Sequence, residues 1–342
     1  MRDVARLAGV STQTVSRVVN KHPHVAAETR QRVLTAMRAL NYRQNLVARA
    51  LVTQRTGTIG IIAYETSLYG PTSMLYAIEG AARSAGYFVS VASVRHLDRR
   101  SVLDAVDWLR RQQVEGIIAI APATAVASAL AEVAGGMATI SVGGGYDEAV
   151  PSAQIDNAAG ARQAARHLLE LGHATVHHVA GPAEWPEAGE RTDGWREALS
   201  AAARPAPLPL RGDWSSQAGY EQGRLLAEDP SVTAVFCASD QLALGVLRAL
   251  HEAGRRVPED VSVVGFDDTP DAGHYLPPLT TVRQDFAELG RRSLGLLLAQ
   301  LDRSDREPAA RRTVQVPRLI VRSSTGPPPG RSATPATGLR AP

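Results

Sequence analysis

From Thr58 onward, short apolar runs alternate with longer amphipathic segments whose apolar residues recur every three or four positions. The runs predict buried strands and the segments predict helices, so the pattern predicts parallel sheets covered by helices on both faces. The seven runs are TIGIIAY, YFVSVASV, EGIIAIAP, MATISVGG, ATVHHVAGP, AVFCASD and VSVVGFDD. The helical segments include MLYAIEGAARSAG, SVLDAVDWLRRQQV, AAGARQAARHLLELG and QLALGVLRALHEAG.

Seven such units exceed one doubly wound α/β domain, so we predict two similar lobes. The chain leaves the first lobe near Ile155 and crosses back near Gln284. The predicted N-lobe comprises about 57–156 and 286–313, and the predicted C-lobe comprises about 157–283 and 314–325. Ligands bind outside the carboxyl ends of the strands in folds of this kind, which places a candidate site in the cleft between the lobes.

The first 42 residues have a helical period throughout, which predicts three short helices around one small core. Gly9 permits a tight turn between the first two helices, and Ser11 can cap the second by accepting from the amide of Gln13 or Thr14. The inward positions are Val4, Leu7 and Ala8, then Val15, Val18 and Val19, then Val33, Met37 and Leu40.

The second helix presents a polar side at its N-terminal end. If its valines face inward, Thr12, Gln13, Ser16 and Arg17 face outward. This is the end of a helix-turn-helix that enters the major groove, where Gln pairs with adenine and Arg pairs with guanine or phosphate. We therefore predict a DNA-binding domain over 1–44, with a basic solvated face as the alternative interpretation.

The net charge of +3 conceals an asymmetry along the chain. The first 56 residues hold ten Arg or Lys and two acids, whereas the other 286 hold 27 bases and 32 acids. A small segment of charge +8 joined to a larger segment of charge −5 is typical of a nucleic-acid-binding domain attached to a domain with a different function.

Length and composition narrow the class further. A chain of 342 residues with 44% hydrophobic content can form two or three domains. No apolar run approaches the ~20 residues that a membrane span needs, and the first turns lack a signal-peptide core, so we expect a cytoplasmic protein. The single cysteine, Cys237, lies in an apolar run and is interpreted as a small buried residue.

The chain resembles the LacI/GalR family of transcriptional regulators, and the motifs that carry the resemblance span its length. They are DVARLAGVSTQTVSRVVN, HVAAETRQRVLTAMRALNY, NLVARAL, GDWSSQAGY, ASDQLALGVLRAL, VSVVGFDDT and YLPPLTTVRQDFAELG. The resemblance implies a hinge helix and linker over 45–56 in which Ala48 lets two hinge helices approach and Leu51 wedges into the minor groove. It also implies base or backbone contacts from Thr12, Gln13, Ser16, Arg17 and Asn20.

Two positions depart from the family pattern at helix starts. The family has several residues before DVA, including a polar cap, whereas this sequence begins at Met1. We therefore expect either a frayed first helix or a start farther upstream. Ala26 stands where the family has a capping Ser before the third helix, a loss of ~1 kcal/mol.

Polar and aromatic residues at the predicted strand ends suit a sugar. A carboxylate and a guanidinium can each form paired hydrogen bonds with vicinal hydroxyls, and an indole can pack against the apolar face of the ring. Singly, each residue has an ordinary alternative, because Asp at a strand end often caps a helix and Trp is commonly core. The candidates from strand ends and their surroundings are Arg191, Trp214, Ser239, Asp240, Asp267, Gln284 and Phe286.

The resemblance implies the same roles, with Arg191 and Asp267 gripping hydroxyls and Trp214 stacking on a β-galactoside-like ring. It adds pocket-lining residues at Leu68, Pro71 and Met74. Two positions differ from the sugar-binding pattern: Ser239 replaces an Asn, and Gly143 falls about where the family has a pocket Asp. The identity of the sugar is open for that reason, as is whether the ligand releases the DNA or strengthens its binding.

Other features predict little chemistry. We predict no metal site at His173, His177 and His178, no phosphate cradle in the GGG of 143–145, no cofactor and no enzyme activity. The Pro-rich tail, from 326 to 342, is expected to be disordered. The family resemblance implies a leucine-heptad helix that makes tetramers at this end, and the heptads are missing here, so we expect a homodimer. The resulting prediction is a sugar-responsive repressor of operator DNA. The alternatives are a sugar-binding transport protein and a sugar-converting enzyme fused to a DNA-binding domain.

Overall fold

In the computed structural model the chain divides after Gly57 into two units, Met1–Gly57 and Thr58–Pro342. The structure describes residues 1–19, 22–42, 55–64, 67–96, 98–120, 129–133, 136–143, 150–302 and 312–330. None of the helices in these ranges combines the length and apolar character that a membrane span needs.

The first unit contains three helices, α1 (Arg2–Ala8), α2 (Thr12–Val19) and α3 (Ala27–Ala39). Their shared core differs from the predicted stripes at two positions. Leu7 is 57% exposed and Leu40 is 44% exposed, and Ala5 and Ala36 are buried in their place, because α1 and α3 approach closely enough for small side chains to fill the contact. The core residues are Val4, Ala5, Ala8, Val15, Val18, Val33 and Ala36.

The ends of these helices follow their sequence signals. Gly9 closes α1 in the left-handed conformation with φ 62°, and the hydroxyl of Ser11 accepts from the amide of Thr14 at 3.1 Å. Neither Met1 nor Ala26 caps a helix through its side chain. α1 begins at Arg2, and the amide of Ala5 donates to the carbonyl of Met1.

The second unit consists of two six-stranded sheets covered by helices. The strands of the N-lobe sheet are all parallel and lie in the order β11-β5-β4-β3-β1-β2. Its elements are β1 (Thr58–Tyr64), α4 (Tyr69–Ser84), β2 (Phe88–Val94), α5 (Arg99–Arg111), β3 (Gly116–Ile120), β4 (Ala138–Val142), β5 (Ser152–Ile155), α10 (Phe286–Leu301) and β11 (Arg312–Gln315).

The C-lobe sheet has the order β12-β10-β9-β8-β6-β7, with β12 antiparallel to β10. Its elements are α6 (Asn157–Glu170), β6 (His177–Ala180), α7 (Pro186–Ala201), β7 (Leu210–Arg211), α8 (Ser216–Glu228), β8 (Ala234–Cys237), α9 (Asp240–Glu252), β9 (Ser262–Asp267), a 3-10 turn (Ala272–His274), β10 (Thr280–Arg283) and β12 (Arg318–Ile320).

The chain passes between the lobes three times, at 155–157, at 283–286 and at 315–318. The third crossing lies later than the boundary expected at 314, because Val314 and Gln315 still pair with Gln154 and Ile155 in the N-lobe sheet. The first and third crossings follow β5 and β11, which are neighbours in the N-lobe sheet, and the second follows β10 of the C-lobe sheet. The cleft lies beside the first two crossings, since Ile155, Asn157, Gln284 and Phe286 line it.

The tail expected to be disordered from 326 is ordered at its start. The amide of Gly326 donates to the hydroxyl of Ser262 at 3.0 Å, and its carbonyl accepts from Ser262 and lies 3.0 Å from Nε2 of His173. The composition of the tail suggested solvation, but these bonds fasten residue 326 to the C-lobe, and the described chain continues to Gly330.

Candidate ligand cleft and nucleic-acid interface

A cavity of about 340 Å³ lies between the two lobes of the second unit, at the carboxyl ends of their strands. This volume falls within the usual range for small-molecule sites, which are apolar clefts with a few convergent polar groups. Nine of the ten residues predicted from the sequence line it: Leu68, Pro71, Met74, Arg191, Trp214, Ser239, Asp267, Gln284 and Phe286.

Arg191 and Asp267 form the polar floor of the cleft. Nη1 of Arg191 lies 3.5 Å from Oδ1 of Asp267, and Nε2 of Gln284 donates to the same oxygen at 2.5 Å. Both charged side chains are less than one-tenth exposed. A guanidinium and a carboxylate side by side in a buried site can serve as donor and acceptor to neighbouring hydroxyls.

The Arg191 side chain is held rigidly, although it does not lie at a strand end as the sequence suggested. It projects from the second turn of α7, where Nε donates to Oδ1 of Asn157 at 3.0 Å and Nη1 also donates to the carbonyl of Ala238. Its guanidinium carbon lies 3.8 Å from the centre of the Phe266 ring. Burial lowers the pKa of Arg191, while the nearby carboxylates, Asp267 first, oppose that effect.

Asp267 is the last residue of β9 and has a positive φ of 112°, which turns its carboxylate into the cleft. Burial raises the pKa of Asp267 to about 6, against the stabilising effects of Arg191 and Gln284. The carboxyl is therefore ionised above pH ~6 and becomes protonated as the pH falls through that value. The adjacent Asp268 turns away and pairs with Arg283 and Arg322.

Two tryptophans form the apolar wall of the cleft. Trp214 follows β7 with φ 74°, and its ring fills the space where a side chain on Gly181 would lie, 2.4 Å from the ideal Cβ position. Trp185 meets it edge to face at 5.7 Å. The indole Nε1 of Trp214 is buried and has no hydrogen-bond partner among the described residues.

The N-lobe supplies a second apolar wall. Tyr69 and Phe286 lie edge to face with ring centres 5.9 Å apart, at the starts of α4 and α10. Leu68, Pro71 and Met74 continue this surface along the first turns of α4. A ring held by the Arg191–Asp267 pair would thus lie between aromatic and aliphatic side chains of both lobes.

Asp240 is the predicted site residue that the structure does not bring to the cleft. It is fully buried at the start of α9, where its oxygens accept from the amide of Thr269 at 2.7 Å and the hydroxyl of Thr281 at 2.5 Å. Burial raises the pKa of Asp240 to about 7. Its role is to join α9 to the loop after β9. The neighbouring Ser239 does line the cleft and also caps α9 by accepting from the amide of Leu242.

Sequence reasoning missed several residues that line the cleft. Three of them follow strand ends just as the predicted ones do: Asn157 comes after β5, and Trp185 and Glu187 come after β6. The strand-end signal could have identified Trp185 and Glu187, whereas Asn157 was missed because β5 itself was not predicted. The other missed lining residues with polar or aromatic side chains are Ser67, Tyr69, Ser215, Ser216 and Gln241.

The histidines of the segment GHATVHHVAGP have structural contacts. Nδ1 of His173 lies 2.9 Å from Oγ1 of Thr233, and Nδ1 of His178 lies 2.9 Å from the carbonyl of Phe236, on whose ring it stacks at 4.8 Å. Desolvation lowers the pKa of His178 to about 3, which keeps it neutral. Within the described part of the chain, no group of three or more potential ligands could hold a metal ion.

In the first unit, the candidate nucleic-acid interface is the outer side of α2. Thr12, Gln13 and Arg17 are exposed there and Ser16 is half-buried, while Val15 and Val18 on the opposite side are buried. The three remaining predicted DNA-contacting residues, Asn20, Ala48 and Leu51, lie outside the described residues.

Two family models match the chain. Residues 1–45 match bacterial regulatory proteins of the lacI family, and residues 165–325 match the periplasmic binding protein-like domain. The lactose operon repressor of Escherichia coli (strain K12) is 38% identical over 302 residues, which cover 86% of this chain and 83% of that protein. This chain belongs to the LacI family.

Other members of the LacI family match over almost the full length. The transcriptional regulator CelR of Thermobifida fusca is 36% identical and covers 94% of this chain and 96% of its own. Among solved structures, the lac repressor dimer bound to operator and the anti-inducer ONPF has a TM-score of 0.81 at 35% identity, with 95% of this chain and 98% of that one covered. The CelR–cellobiose complex has a TM-score of 0.70 at 34% identity, with 94% and 98% covered.

Membership in the LacI family confirms the predicted fold class and the predicted character of a DNA-binding transcriptional regulator. The helix-turn-helix unit and the periplasmic-binding-protein-like core both match their family models, and the parallel two-lobed core matches the lac repressor structure. The matched relatives include the lactose operon repressor, the transcriptional repressor PurR and the regulator CelR in complex with cellobiose, so the family leaves the ligand of this chain to be argued from its own cleft.

Proposed function

We propose that this chain is a homodimeric transcriptional repressor that binds operator DNA through its first unit and is released when a β-galactoside-like sugar enters the cleft. The observation that carries the proposal is the buried Arg191–Asp267 pair beside the Trp214 ring, whose centre lies 5.6 Å from the guanidinium carbon of Arg191. A planar donor, a carboxylate acceptor and an apolar platform together match the edge and face of a pyranose.

The second tryptophan favours a sugar of more than one ring. Trp185 extends the wall formed by Trp214, and Tyr64 packs against Trp185 at 6.0 Å on its far side. One ring stacked on Trp214 leaves Trp185 available for an aglycone or a second ring. A β-linked disaccharide fits this arrangement, with lactose as the first candidate.

The proposed mechanism places the ligand between the lobes. Its contacts come from α7 and β9 of the C-lobe and from α4 and α10 of the N-lobe, so a bound sugar stabilises one relative position of the two lobes over others. A shift of the N-lobes within a dimer would withdraw support from paired hinge segments, and operator affinity would fall by the difference in sugar affinity between the two states.

The proposal is tested by selecting an operator from random duplex DNA with the full chain and then measuring its release. We expect lactose to lower operator affinity at least tenfold in fluorescence anisotropy, because coupling of 1–3 kcal/mol between sites is typical. Sucrose and ribose serve as controls of different shape. Stronger operator binding with sugar would make the ligand a corepressor, and no effect of any sugar would reject the proposal.

We also expect that Gln13→Ala and Arg17→Ala each relax sequence choice by ~1–3 kcal/mol at one operator base pair, because a bidentate contact to a base edge is lost. The measurement is affinity for a set of operators with single base changes. Arg6→Ala, on α1, removes an exposed charge and should weaken binding to all sequences alike. If Gln13→Ala and Arg17→Ala show the same uniform loss, the assignment of base contacts is wrong.

A further inference from the structure

Glu187 reaches across the cleft from one lobe to the other. It lies in the first turn of α7 in the C-lobe, and its Oε1 is 2.8 Å from the position that a Cβ on Gly143 would take. Gly143 follows β4 of the N-lobe with φ 99°. Its missing side chain therefore leaves room for the Glu187 carboxylate, and both residues line the cavity.

The approach of Glu187 to Gly143 places a second carboxylate in the cleft beside Asp267. Among the described lining residues, the carboxylates of Glu187 and Asp267 face a single cation, Arg191. That cation is already engaged by Asp267, Asn157 and Ala238. Burial lowers the pKa of Arg191, and Asp267, Glu187, Glu190 and Asp240 all oppose that effect, so acidic groups outnumber cations around the cleft floor.

Other cations near the cleft do not reverse this balance. Arg283 and Arg322 both pair with Asp268, Arg211 donates to the carbonyl of Gly181, and none of them belongs to the described lining. The undescribed residues 65–66, 121–128 and 144–149, which follow β1, β3 and β4 in sequence, include three acids and no Lys or Arg.

We infer that the ligand of this cleft is an uncharged glycoside and that Glu187 is the residue that excludes phosphorylated or carboxylated sugars. The inference deepens the proposed function and rests on it. A phosphate placed between two carboxylates is repelled in a site where water screens poorly, whereas the same carboxylates accept hydrogen bonds from neutral hydroxyls. Glu187 lies four residues before Arg191 on α7 and approaches Gly143 of the N-lobe, so it meets ring substituents on the N-lobe side of the Arg191–Asp267 pair.

The test compares neutral sugars with their phosphate esters by calorimetry on the full chain. The probes are lactose and lactose 6′-phosphate, and cellobiose and cellobiose 6′-phosphate. In at least one of these two pairs, we expect the wild-type protein to bind the neutral sugar at least tenfold more tightly than its phosphate ester. Glu187→Gln keeps the shape of the side chain and removes one charge, so it should narrow the ratio of the two affinities about tenfold.

Glu184→Gln is the matched control, because it removes the same charge from an exposed position three residues earlier. It should leave the ratio at its wild-type value. A wild-type preference for either phosphate overturns the inference while the proposed sugar response stands. An unchanged ratio in Glu187→Gln overturns the role of Glu187. If none of the four sugars binds, the proposed function fails and the inference fails with it.

Discussion

Replacing Asp267 by Asn is expected to give a protein that holds operator DNA with wild-type affinity but is not released by sugar. Asn keeps the shape of the side chain and tolerates the positive φ of 112°, which would strain Ala. It loses the charged acceptor, worth ~1.5–3 kcal/mol for each hydrogen bond to a ligand hydroxyl. Two such bonds correspond to a loss of at least a hundredfold in sugar affinity, measured by calorimetry alongside operator anisotropy.

Asp268→Asn is the matched control for this variant. Asp268 is adjacent in sequence and similarly buried, but its partners are Arg283 and Arg322, outside the cleft. It should lower the melting temperature through the loss of two ion pairs and leave sugar affinity within about threefold of wild type. Equal sugar binding by Asp267→Asn and wild type would remove Asp267 from the site.

The sequence predicted the strands whose apolar character is continuous and failed where strands contain buried polar residues. TIGIIAY and VSVVGFDD correspond to β1 and β9 with little shift at their ends. By contrast, β5 is SAQI and β10 is TTVR, and their Ser, Gln and Thr side chains are buried. Hydrogen bonds make this burial possible, and a hydropathy pattern does not predict such bonds. Four of the missed strands, β5, β10, β11 and β12, lie beside the lobe crossings. The third crossing was misplaced because β11 and β12 on either side of it were not predicted.

The residues of the candidate site likewise divide into those that the sequence could predict and those that it could not. Asp267 and Trp214 were predictable because the first ends a strand and the second comes shortly after one, where the fold collects ligand contacts. Asp240 has the same signal but does not line the cleft, because Thr269 and Thr281 occupy its oxygens inside the lobe. The contact between Glu187 and Gly143 joins residues of two lobes, and a sequence holds no local signal for it.

The C-lobe is expected to lose most of its stability when Gly245 is replaced by Ala. Gly245 in α9 and Gly219 in α8 lie where these helices cross so closely that their backbones touch. A Cβ on Gly245 would lie 2.0 Å from the carbonyl oxygen of Ser216 and 2.3 Å from the amide nitrogen of Tyr220. Because both are backbone atoms of a helix, α8 must move as a whole, which we expect to cost ~3 kcal/mol or more of unfolding free energy, the upper end for overpacking.

Gly295→Ala, in α10, is the control that separates crowding from helix propensity. No atom lies within 4 Å of a Cβ at Gly295, so Ala should stabilise that helix by ~0.5–1 kcal/mol. Urea unfolding should therefore move the midpoint in opposite directions for the two variants. The crossing would not be as close as described if Gly245→Ala were neutral or stabilising. The helix α9 begins at Asp240 and is capped by Ser239. Displacement of this helix should therefore also weaken sugar binding by those Gly245→Ala molecules that are still folded, a loss that Gly295→Ala does not share.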